Sequence, residues 1–445
     1  MLGNSGKSGR SGRTAVAVAA ALFAASAAFG AGFGLYEMDA HSTAMAGHVY
    51  GRPKNASAAY YNPGAMNATT GTVLTVGATI LNPRADARVD MKHDTRMNSG
   101  WLAYPNIFAV QELPYGFRIG FGAFGDFGLA SAYNNHWELK HDSTETLLEG
   151  YTIQGVISYD ITDRWSFGIG PRFTFVNFET RMKRDFAFVD QMYLAQSMGM
   201  LHAPVRGKNK LKIQADNEDD IGIGLAAGTS YRVTDDFSVG LMYRSRVKTK
   251  LKGSASWHGE DIEHHHNSLD ETIQLPAQIS LGFNWDDALW IEKLHLGASA
   301  SWIEWSKISA LRFDVWNPVT RKVETDEIKM DWRNTYRVGF GLGYDLTDSW
   351  EILAGYTYDW DPCRNRLGYD HTMLPIGDRH VVTTGVVWTS PEGAWELAFM
   401  YGVIIQESTS QRIPGEYRQY DGSDHKMHVH NAYSHCVSLG VTYRF

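Results

Sequence analysis

The stretch TYRVGFGLGYDLTDSWEILAGYTYD, residues 335–359, decides the fold. On each side of a short turn at Leu346–Ser349, large apolar side chains alternate with small or charged ones. Tyr336 and Phe340 belong to the apolar set, and Arg337 belongs to the other. Alternation with a period of two and two unlike faces is typical of β-strands. The stretch therefore predicts a β-hairpin with one apolar face and one polar face.

The same alternation continues from about Thr72 to the end of the chain, and the turns indicate which kind of sheet it forms. Short connections alternate strictly with long polar stretches. The short ones lie at Leu113–Gly116, Ile161–Arg164, Val233–Asp236, Leu346–Ser349 and Ser390–Gly393, with a longer one near Asp286–Lys293, and the long ones at about 84–100, 131–145, 181–208, 253–270, 317–327, 361–376 and 407–432. Tight turns on one side and long loops on the other are typical of outer-membrane barrels. We therefore predict an all-β fold, a 14-stranded antiparallel transmembrane β-barrel.

Aromatic residues beside the short turns give independent support for a membrane barrel. The first outward residue after most short turns is aromatic, as at Phe117, Trp165 and Trp395. Strands that return to the same side end near further rings, such as Tyr159 and Tyr231. Rings gathered at one height form an aromatic girdle at a membrane–water interface. A soluble core would not place them so regularly beside turns.

Composition and the N-terminus narrow the class and the location. The chain has 445 residues, 44% of them hydrophobic, and a mean hydropathy of −0.30. A helical membrane bundle needs repeated apolar runs of about 20 residues. This chain has one such run, at its N-terminus, which excludes a helical bundle. The net charge of −8 argues against a nucleic-acid partner. Basic residues up to Arg13, the apolar run Ala15–Phe29 and small residues before Ala31 predict a cleaved signal peptide at residues 1–30. Export and a barrel together predict the outer membrane of a Gram-negative cell.

The segment before the first strand carries a resemblance to a known family. Residues 31–71 do not alternate and are rich in small side chains, which predicts a compact hatch that plugs the lumen of the barrel, residues 72–445. AGFGLYEM, residues 31–38, is similar to the mature start of FadL-type transporters of long-chain fatty acids and other hydrophobic compounds. AAYYNPG, residues 58–64, resembles the hatch motif of that family, normally Asn-Pro-Ala, which here is Asn62, Pro63 and Gly64. Further similar segments follow in order, including FGLAS at 127–131 and YRS at 243–245.

This resemblance implies a function and a set of partners. A fatty acid or related hydrocarbon would enter from outside, occupy an apolar pocket in the lumen, and leave sideways through a gap in the wall near the third strand. The implied partners are outer-membrane lipid and lipopolysaccharide, together with the barrel-assembly machinery through the C-terminal Phe445, and the protein would be a monomer. The basic pocket residue of the family falls near Asn177, which is not basic. A neutral hydrocarbon therefore remains an alternative to a fatty acid.

Three regions supply candidate residues for the substrate path. The loop at residues 185–201 concentrates apolar and methionine side chains, which predicts either a first contact for alkyl chains or a short helix packed on its neighbours. In the third strand, Gly125, Asp126 and Gly128 interrupt the alternation, which predicts a kink that opens a lateral gap, or simply the strand end. The residues predicted to bind substrate are Phe33, Leu35, Phe124, Phe127, Leu129, Phe188, Met192, Leu194, Met198, Leu201, Arg244 and Arg246.

The seventh strand shows the clearest pattern of charge. If Val247 and Leu251 point outward, five cations fall together on the inner face: Arg244, Arg246, Lys248, Lys250 and Lys252. They would attract a carboxylate headgroup, or pair with acids of the hatch and of neighbouring strands.

Other functions find less support in the sequence. No Gly-x-Ser-x-Gly elbow stands out, so we do not predict an enzyme, and we predict no cofactor. Three adjacent histidines at residues 264–266 cannot all face one ion on a strand, so we predict no metal site. Cys363 and Cys436 leave open whether a disulfide forms. A polar porin and a structural or adhesive barrel are the remaining alternatives.

Overall fold

The fold is a closed antiparallel β-barrel around an N-terminal segment with short helices. The computed structural model describes residues 32–141, 143–185, 208–218, 220–259, 263–308, 310–317, 322–330, 332–363, 377–413 and 424–445. The predicted signal peptide lies outside these residues. Within them, no helix is long and apolar enough to cross a membrane.

Strands make up most of the described part of the chain, and the few helices are short. The strands are β1 Thr72–Val89, β2 Asp94–Asn98, β3 Leu102–Glu112, β4 Phe117–Ala132, β5 Glu145–Thr162, β6 Trp165–Asp185, β7 Lys208–Asp216, β8 Gly222–Arg232, β9 Phe237–Arg244, β10 Val247–His258, β11 Glu263–Leu275, β12 Gln278–Trp285, β13 Leu294–Ile303, β14 Ala310–Asn317, β15 Lys322–Lys329, β16 Thr335–Thr347, β17 Trp350–Asp359, β18 Arg379–Thr389, β19 Trp395–Gln406, β20 Thr409–Ile413 and β21 His425–Arg444. The helices are α1 Ala40–Ala44 and α2 Ala58–Tyr61, and the 3₁₀ helices are Pro63–Ala68, Pro114–Gly116, Ala288–Trp290 and Trp305–Lys307.

The barrel closes where the first and last strands meet. β1 pairs with β3 on one side and with β21 on the other, in a ladder that begins at Val73 opposite Arg444. Among the described residues, nineteen strands share this sheet, and β14 and β15 form a separate hairpin. Because β2, β7 and β20 extend its outer rim, sixteen strands remain in the wall.

The predicted number of fourteen strands is therefore wrong. The seventh and the eighth predicted strands are each divided in two, at Ser245–Arg246 and at Pro276–Ala277. Ser245 leaves the ladder because its side-chain oxygen accepts from the amide of Leu225 at 2.7 Å. Pro276 has no N–H group and cannot continue a ladder.

The first of these breaks reverses the faces of the strand that follows. Arg244 is buried inside, but beyond the break the inward residues are Val247, Thr249 and Leu251. A shift of one residue exchanges the two faces of a strand. The prediction of an inward cationic face is consequently wrong for Arg246, Lys248, Lys250 and Lys252, all of which are exposed on the exterior.

The exterior of the barrel is apolar and ringed by aromatic side chains near the short turns. Neighbouring strands place these rings side by side: Phe117 and Tyr159 have ring centroids 4.7 Å apart, and those of Trp395 and Tyr443 are 4.4 Å apart. Trp165 lies opposite Tyr231 in the same way. An exposed apolar surface of this extent requires a lipid environment.

The interior is filled by the segment between residues 32 and 71. Most of its side chains are buried, and it makes contacts with many strands of the wall. Asp39 caps α1 by accepting from the amide of Ser42 at 3.1 Å, and it also accepts from the side chain of Asn55 at 2.9 Å. The segment lies where a hatch was predicted, while the boundaries at residues 30 and 71 stay predictions.

Candidate functional site

A buried ion pair lies at the centre of the lumen. Arg172 on β6 pairs with Asp126 on β4, and both side chains are at least 94% buried. Thr152 on β5 donates to the other oxygen of Asp126 at 2.8 Å. Arg172 points inward because it follows the period-two alternation of β6. The pair therefore fixes β4, β5 and β6 around one charged centre.

A second guanidinium lies beside this pair without a carboxylate partner among the described residues. Arg244 donates to the backbone oxygen of Tyr60 at 2.7 Å and to the side-chain oxygen of Gln278 at 3.2 Å. Its Cζ atom lies 3.7 Å from the centre of the Tyr60 ring, a cation–π contact. The guanidiniums of Arg172 and Arg244 and the carboxylate of Asp126 together leave one excess positive charge at this centre.

The wall is irregular next to this centre. β4 pairs with β3 only up to Ala123, which lies opposite Ile107, and every residue of β4 from Gly122 to Ser131 is buried. The register between β4 and β5 shifts at Asp126, as expected when one strand contains an extra residue. β4 thus turns inward, and residues 102–106 of β3 pair with β1 but not with β4.

The start of the N-terminal segment fills the space that this turn leaves inside the barrel. The amide of Leu35 donates to the carbonyl of Asp126 at 3.0 Å, and the amide of Gly128 donates to the carbonyl of Phe33 at 2.8 Å. Residues 33–35 therefore occupy the position of a short strand beside β4. On the β3 side, the hydroxyl of Tyr104 is buried with no hydrogen-bond partner in the described part of the chain.

An aromatic cluster covers the centre from the outer side. The Phe33 ring lies 5.0 Å from that of Trp305, 5.7 Å from that of Trp332 and 5.9 Å from that of Phe127, measured between centroids. Above it, apolar side chains of the outer lumen continue to the β14–β15 hairpin, and they include Leu129, Phe178, Leu211, Val247, Leu251, Trp257 and Phe313. The outer half of the lumen is thus lined by apolar side chains.

The described residues leave little free space at the centre of the lumen. A cavity of about 20 Å³ remains at the centre, between Tyr36, Arg172, Arg244 and Pro276. This volume holds about one water molecule and no alkyl chain. Entry of a larger molecule therefore requires side chains or the N-terminal segment to move.

The predicted hatch motif packs directly on the wall. The side chain of Asn62 donates to the carbonyls of Tyr50 and Thr229 at 2.8 and 3.0 Å, and it accepts from the amide of Gly64 at 3.0 Å. A Cβ atom on Gly64 would lie 2.6 Å from the carbonyl oxygen of Gly228. The alanine that is usual in the resembling family therefore does not fit here, which explains the departure at this position.

Charged side chains hold the segment at the periplasmic end. His41 lies 2.8 Å from Glu396 and 3.4 Å from Glu351, and Lys54 lies 2.8 Å from Glu351. Burial lowers the pKa of His41, but the two carboxylates outweigh burial and leave this pKa above its ordinary value. Nearby, His295, Asp345 and Glu351 offer three possible metal-ligand atoms within 4.8 Å of one another. Lys54 already pairs with Glu351, so its positive charge occupies the place that a cation would take.

The structure brings together some of the predicted substrate residues and separates others. Phe33, Leu35, Phe124, Phe127, Leu129 and Arg244 are buried around the centre. Arg246 is not in the lumen, since it is exposed and pairs with Glu304 at 2.7 Å. Phe188, Met192, Leu194, Met198 and Leu201 lie outside the described residues. Substrate binding by any of these residues stays a prediction.

The central residues that sequence reasoning missed are Arg172 and Tyr60. The resemblance puts the basic pocket position of the family near Asn177, but this side chain faces the exterior. Arg172 is inward on the same strand, and the period-two alternation of this strand was a sufficient signal for it. Cys363 and Cys436 are both buried and are not joined by a disulfide. Assembly through Phe445 and a monomeric state stay predictions.

Comparisons with known proteins agree with this architecture. A family model described as outer membrane protein transport protein (OMPP1/FadL/TodX) matches residues 21–445. The long-chain fatty acid transport protein of Escherichia coli (strain K12) is 24% identical over 431 residues, covering 88% of this chain and 92% of that protein. The long-chain fatty acid transport protein of Salmonella typhi is 24% identical over 422 residues, covering 88% of this chain and 92% of that protein.

Solved structures show the same fold. A FadL homologue from Pseudomonas aeruginosa superposes with a TM-score of 0.78 at 19% identity, covering 93% of this chain and 100% of that one. The toluene transporter TodX from P. putida superposes with a TM-score of 0.67 at 15% identity, covering 92% and 99%. At these identities the likeness supports the fold alone.

Proposed function

Because the chain belongs to the outer membrane protein transport protein (OMPP1/FadL/TodX) family, we propose that it takes up long-chain fatty acids across the outer membrane by diffusion. Relatives named as long-chain fatty acid transport proteins support this substrate class. Structural neighbours named as toluene transporters support hydrophobic cargo more generally. Several relatives and structural neighbours are named as transport proteins or channels, and the proposal includes no catalytic step.

The observation that carries the proposal is the excess positive charge at the centre of an apolar lumen. Asp126 neutralises Arg172, whereas the groups that hold Arg244, from Tyr60 and Gln278, carry no charge. A buried cation without a counter-charge is costly, so the site favours an anion. The carboxylate of a fatty acid supplies that charge, and a neutral hydrocarbon does not.

The alkyl chain would lie among the apolar side chains on the outer side of this centre. Phe127, Leu129 and Phe178 belong to one continuous apolar cluster there. Met182 belongs to it as well, and methionine adapts to ligands of different shape. In this proposal the loop at residues 185–201 makes the first contact with the cargo.

We propose that the cargo leaves sideways, between β3 and β4. The register shift at Asp126 and the unpaired edge of β3 at residues 102–106 support an exit at this place. Residues 33–35 occupy the strand position on the inner side of the turn, so they must move before a molecule passes.

The test compares two arginines that lie two residues apart in the sequence, one inside the lumen and one on the exterior. Arg244→Gln removes the unneutralised lumenal charge, whereas Arg246→Gln removes an exposed charge on the exterior and serves as the matched control. Binding of a fluorescent long-chain fatty acid to the purified protein is expected to weaken at least about tenfold in Arg244→Gln, because hydrogen bonds to a charged group contribute about 1.5–3 kcal/mol. An alkane of the same length is expected to bind both variants equally.

Two results would contradict the proposal. Equal fatty-acid binding by both variants would show that Arg244 does not recognise the carboxylate. An equal loss of fatty acid and alkane binding in Arg244→Gln would assign this residue to packing of the N-terminal segment. Migration of the unheated barrel on a gel checks that each variant is folded.

A further inference from the structure

The exterior of β6 changes character along its length. Its outward side chains are apolar from Trp165 to Phe175, and they are polar or charged from Asn177 to Lys183. About ten residues of a strand tilted by about 40° rise roughly 25 Å, which equals the height of the apolar band on outer-membrane barrels. The outward residues beyond Asn177 therefore lie at or above the headgroups of the outer leaflet.

Basic side chains of three neighbouring strands meet at this level. The β6–β7 ladder places Lys212 opposite Arg181 and Lys210 opposite Lys183. β10 pairs with the other edge of β7 and places His258 opposite Lys210. On these strands the apolar side chains alternate inward, so the basic ones face the exterior.

The basic side chains line a surface cavity of about 290 Å³, which we call the basic rim cavity. It is lined by four cations, Arg181, Lys183, Lys210 and Lys212, together with Glu145. Beside it, Glu179 lies 2.6 Å from Arg181 and 3.2 Å from Lys212, and Glu145 lies 2.7 Å from Arg181. The lining of the cavity thus holds more cations than carboxylates, in a chain whose net charge is −8.

We propose that the basic rim cavity binds a phosphate group of lipopolysaccharide. A phosphate carries a charge of about −1.5 to −2 at neutral pH, and its oxygens accept hydrogen bonds from several cations at once. The cavity opens on the exterior just above the apolar band, where the phosphorylated sugars of this lipid lie. Its charged side chains face the exterior, whereas Arg244 faces the lumen, so it is not the site proposed for the fatty-acid carboxylate. The inference requires the outer-membrane location and not the identity of the transported molecule.

The experiment measures lipopolysaccharide binding to the purified full-length protein in detergent, with a chelator present to remove divalent cations. The probes are lipopolysaccharide and the same preparation after chemical removal of its phosphates. Lys210→Gln/Lys212→Gln tests the cavity, and Lys307→Gln/Lys322→Gln removes two exposed lysines elsewhere as the control. Phosphorylated lipid is expected to bind roughly 30-fold more weakly to the cavity variant, while the control binds like the unchanged protein.

The outcomes separate this inference from its alternatives. Equal affinity of the two lipid preparations for the unchanged protein would overturn it, because the sugars and acyl chains would then account for binding. Binding that disappears with the chelator would also overturn it, since a divalent ion held by Glu145 and Glu179 would then bridge to the lipid. Fatty-acid binding in the cavity variant is expected to stay unchanged, so failure here and failure of the transport proposal are distinguishable.

Discussion

Phe33→Ala tests whether the start of the N-terminal segment holds the lumen closed. The Phe33 side chain is 4% exposed and packs on three aromatic rings. Truncating a buried phenylalanine costs about 3–5 kcal/mol. The backbone of residues 33–35 adds two hydrogen bonds to β4, each contributing about 1 kcal/mol. Packing of this one ring therefore outweighs the backbone contacts that dock the segment.

Hydrogen exchange at two amides measures the effect directly. The amides of Leu35 and Gly128 form the two hydrogen bonds between the segment and β4. If displacing the segment becomes easier by about 3 kcal/mol, both amides are expected to exchange roughly 100-fold faster in Phe33→Ala. Phe340→Ala is the matched control, since its ring is 49% exposed on the lipid-facing exterior.

Unchanged exchange at both amides in Phe33→Ala would refute the reasoning, because the segment would then be held by contacts other than this ring. Faster exchange throughout β4 and β5 would instead indicate loss of the barrel. Exchange that is faster at Leu35 and Gly128 alone is the expected pattern.

Two further changes test how the rest of the segment is held. Gly64→Ala is expected to destabilise the protein by about 1–3 kcal/mol in denaturant unfolding, because the new Cβ would overlap backbone atoms of the wall. Gly155→Ala is the control and is expected to be neutral, because the space around the Gly155 Cα is open. If Gly64→Ala were as stable as Gly155→Ala, close packing of the hatch motif on the wall would be disproved. The pKa of His41 is raised by Glu396 and Glu351, so these ion pairs contribute fully below its ordinary pKa of 6.5 and are lost as pH rises through the raised value. Thermal stability is therefore expected to fall as pH rises above about 6.5, and to fall less in His41→Gln. An equal fall in both proteins would rule out this contribution.

The alternation of side chains predicted the barrel because a wall between lipid and a filled lumen forces each strand to have two unlike faces. This constraint acts on every residue of a regular strand, and Arg172 follows it, because its inward position continues the alternation of β6. The aromatic girdle was predictable for a similar reason, since rings at the interface sit beside the turns.

The same constraint fails wherever the register changes. The break at Ser245–Arg246 shifts the following strand by one residue, so Val247 moves inside and Lys248 moves outside. Nothing local marks this break, because Ser245 leaves the ladder to bond with Leu225 on a neighbouring strand. Long-range contacts of this kind also fix Arg244 on Tyr60, and a single sequence does not reveal them.

The turn in β4 and the N-terminal segment form one structural unit. Because β4 turns away from β3 at Asp126, the carbonyl of Asp126 and the amide of Gly128 find their partners in residues 33–35. Leaving such groups buried and unpaired costs about 1–3 kcal/mol each, so the segment cannot leave unless water or cargo replaces its contacts. Tyr36 and Tyr60 line the central cavity, and we propose that a carboxylate that reaches Arg244 displaces both of them together with the N-terminal segment. Removal of the tyrosines from the central cavity and opening of the wall between β3 and β4 would then be one movement, driven by the binding of the cargo alone.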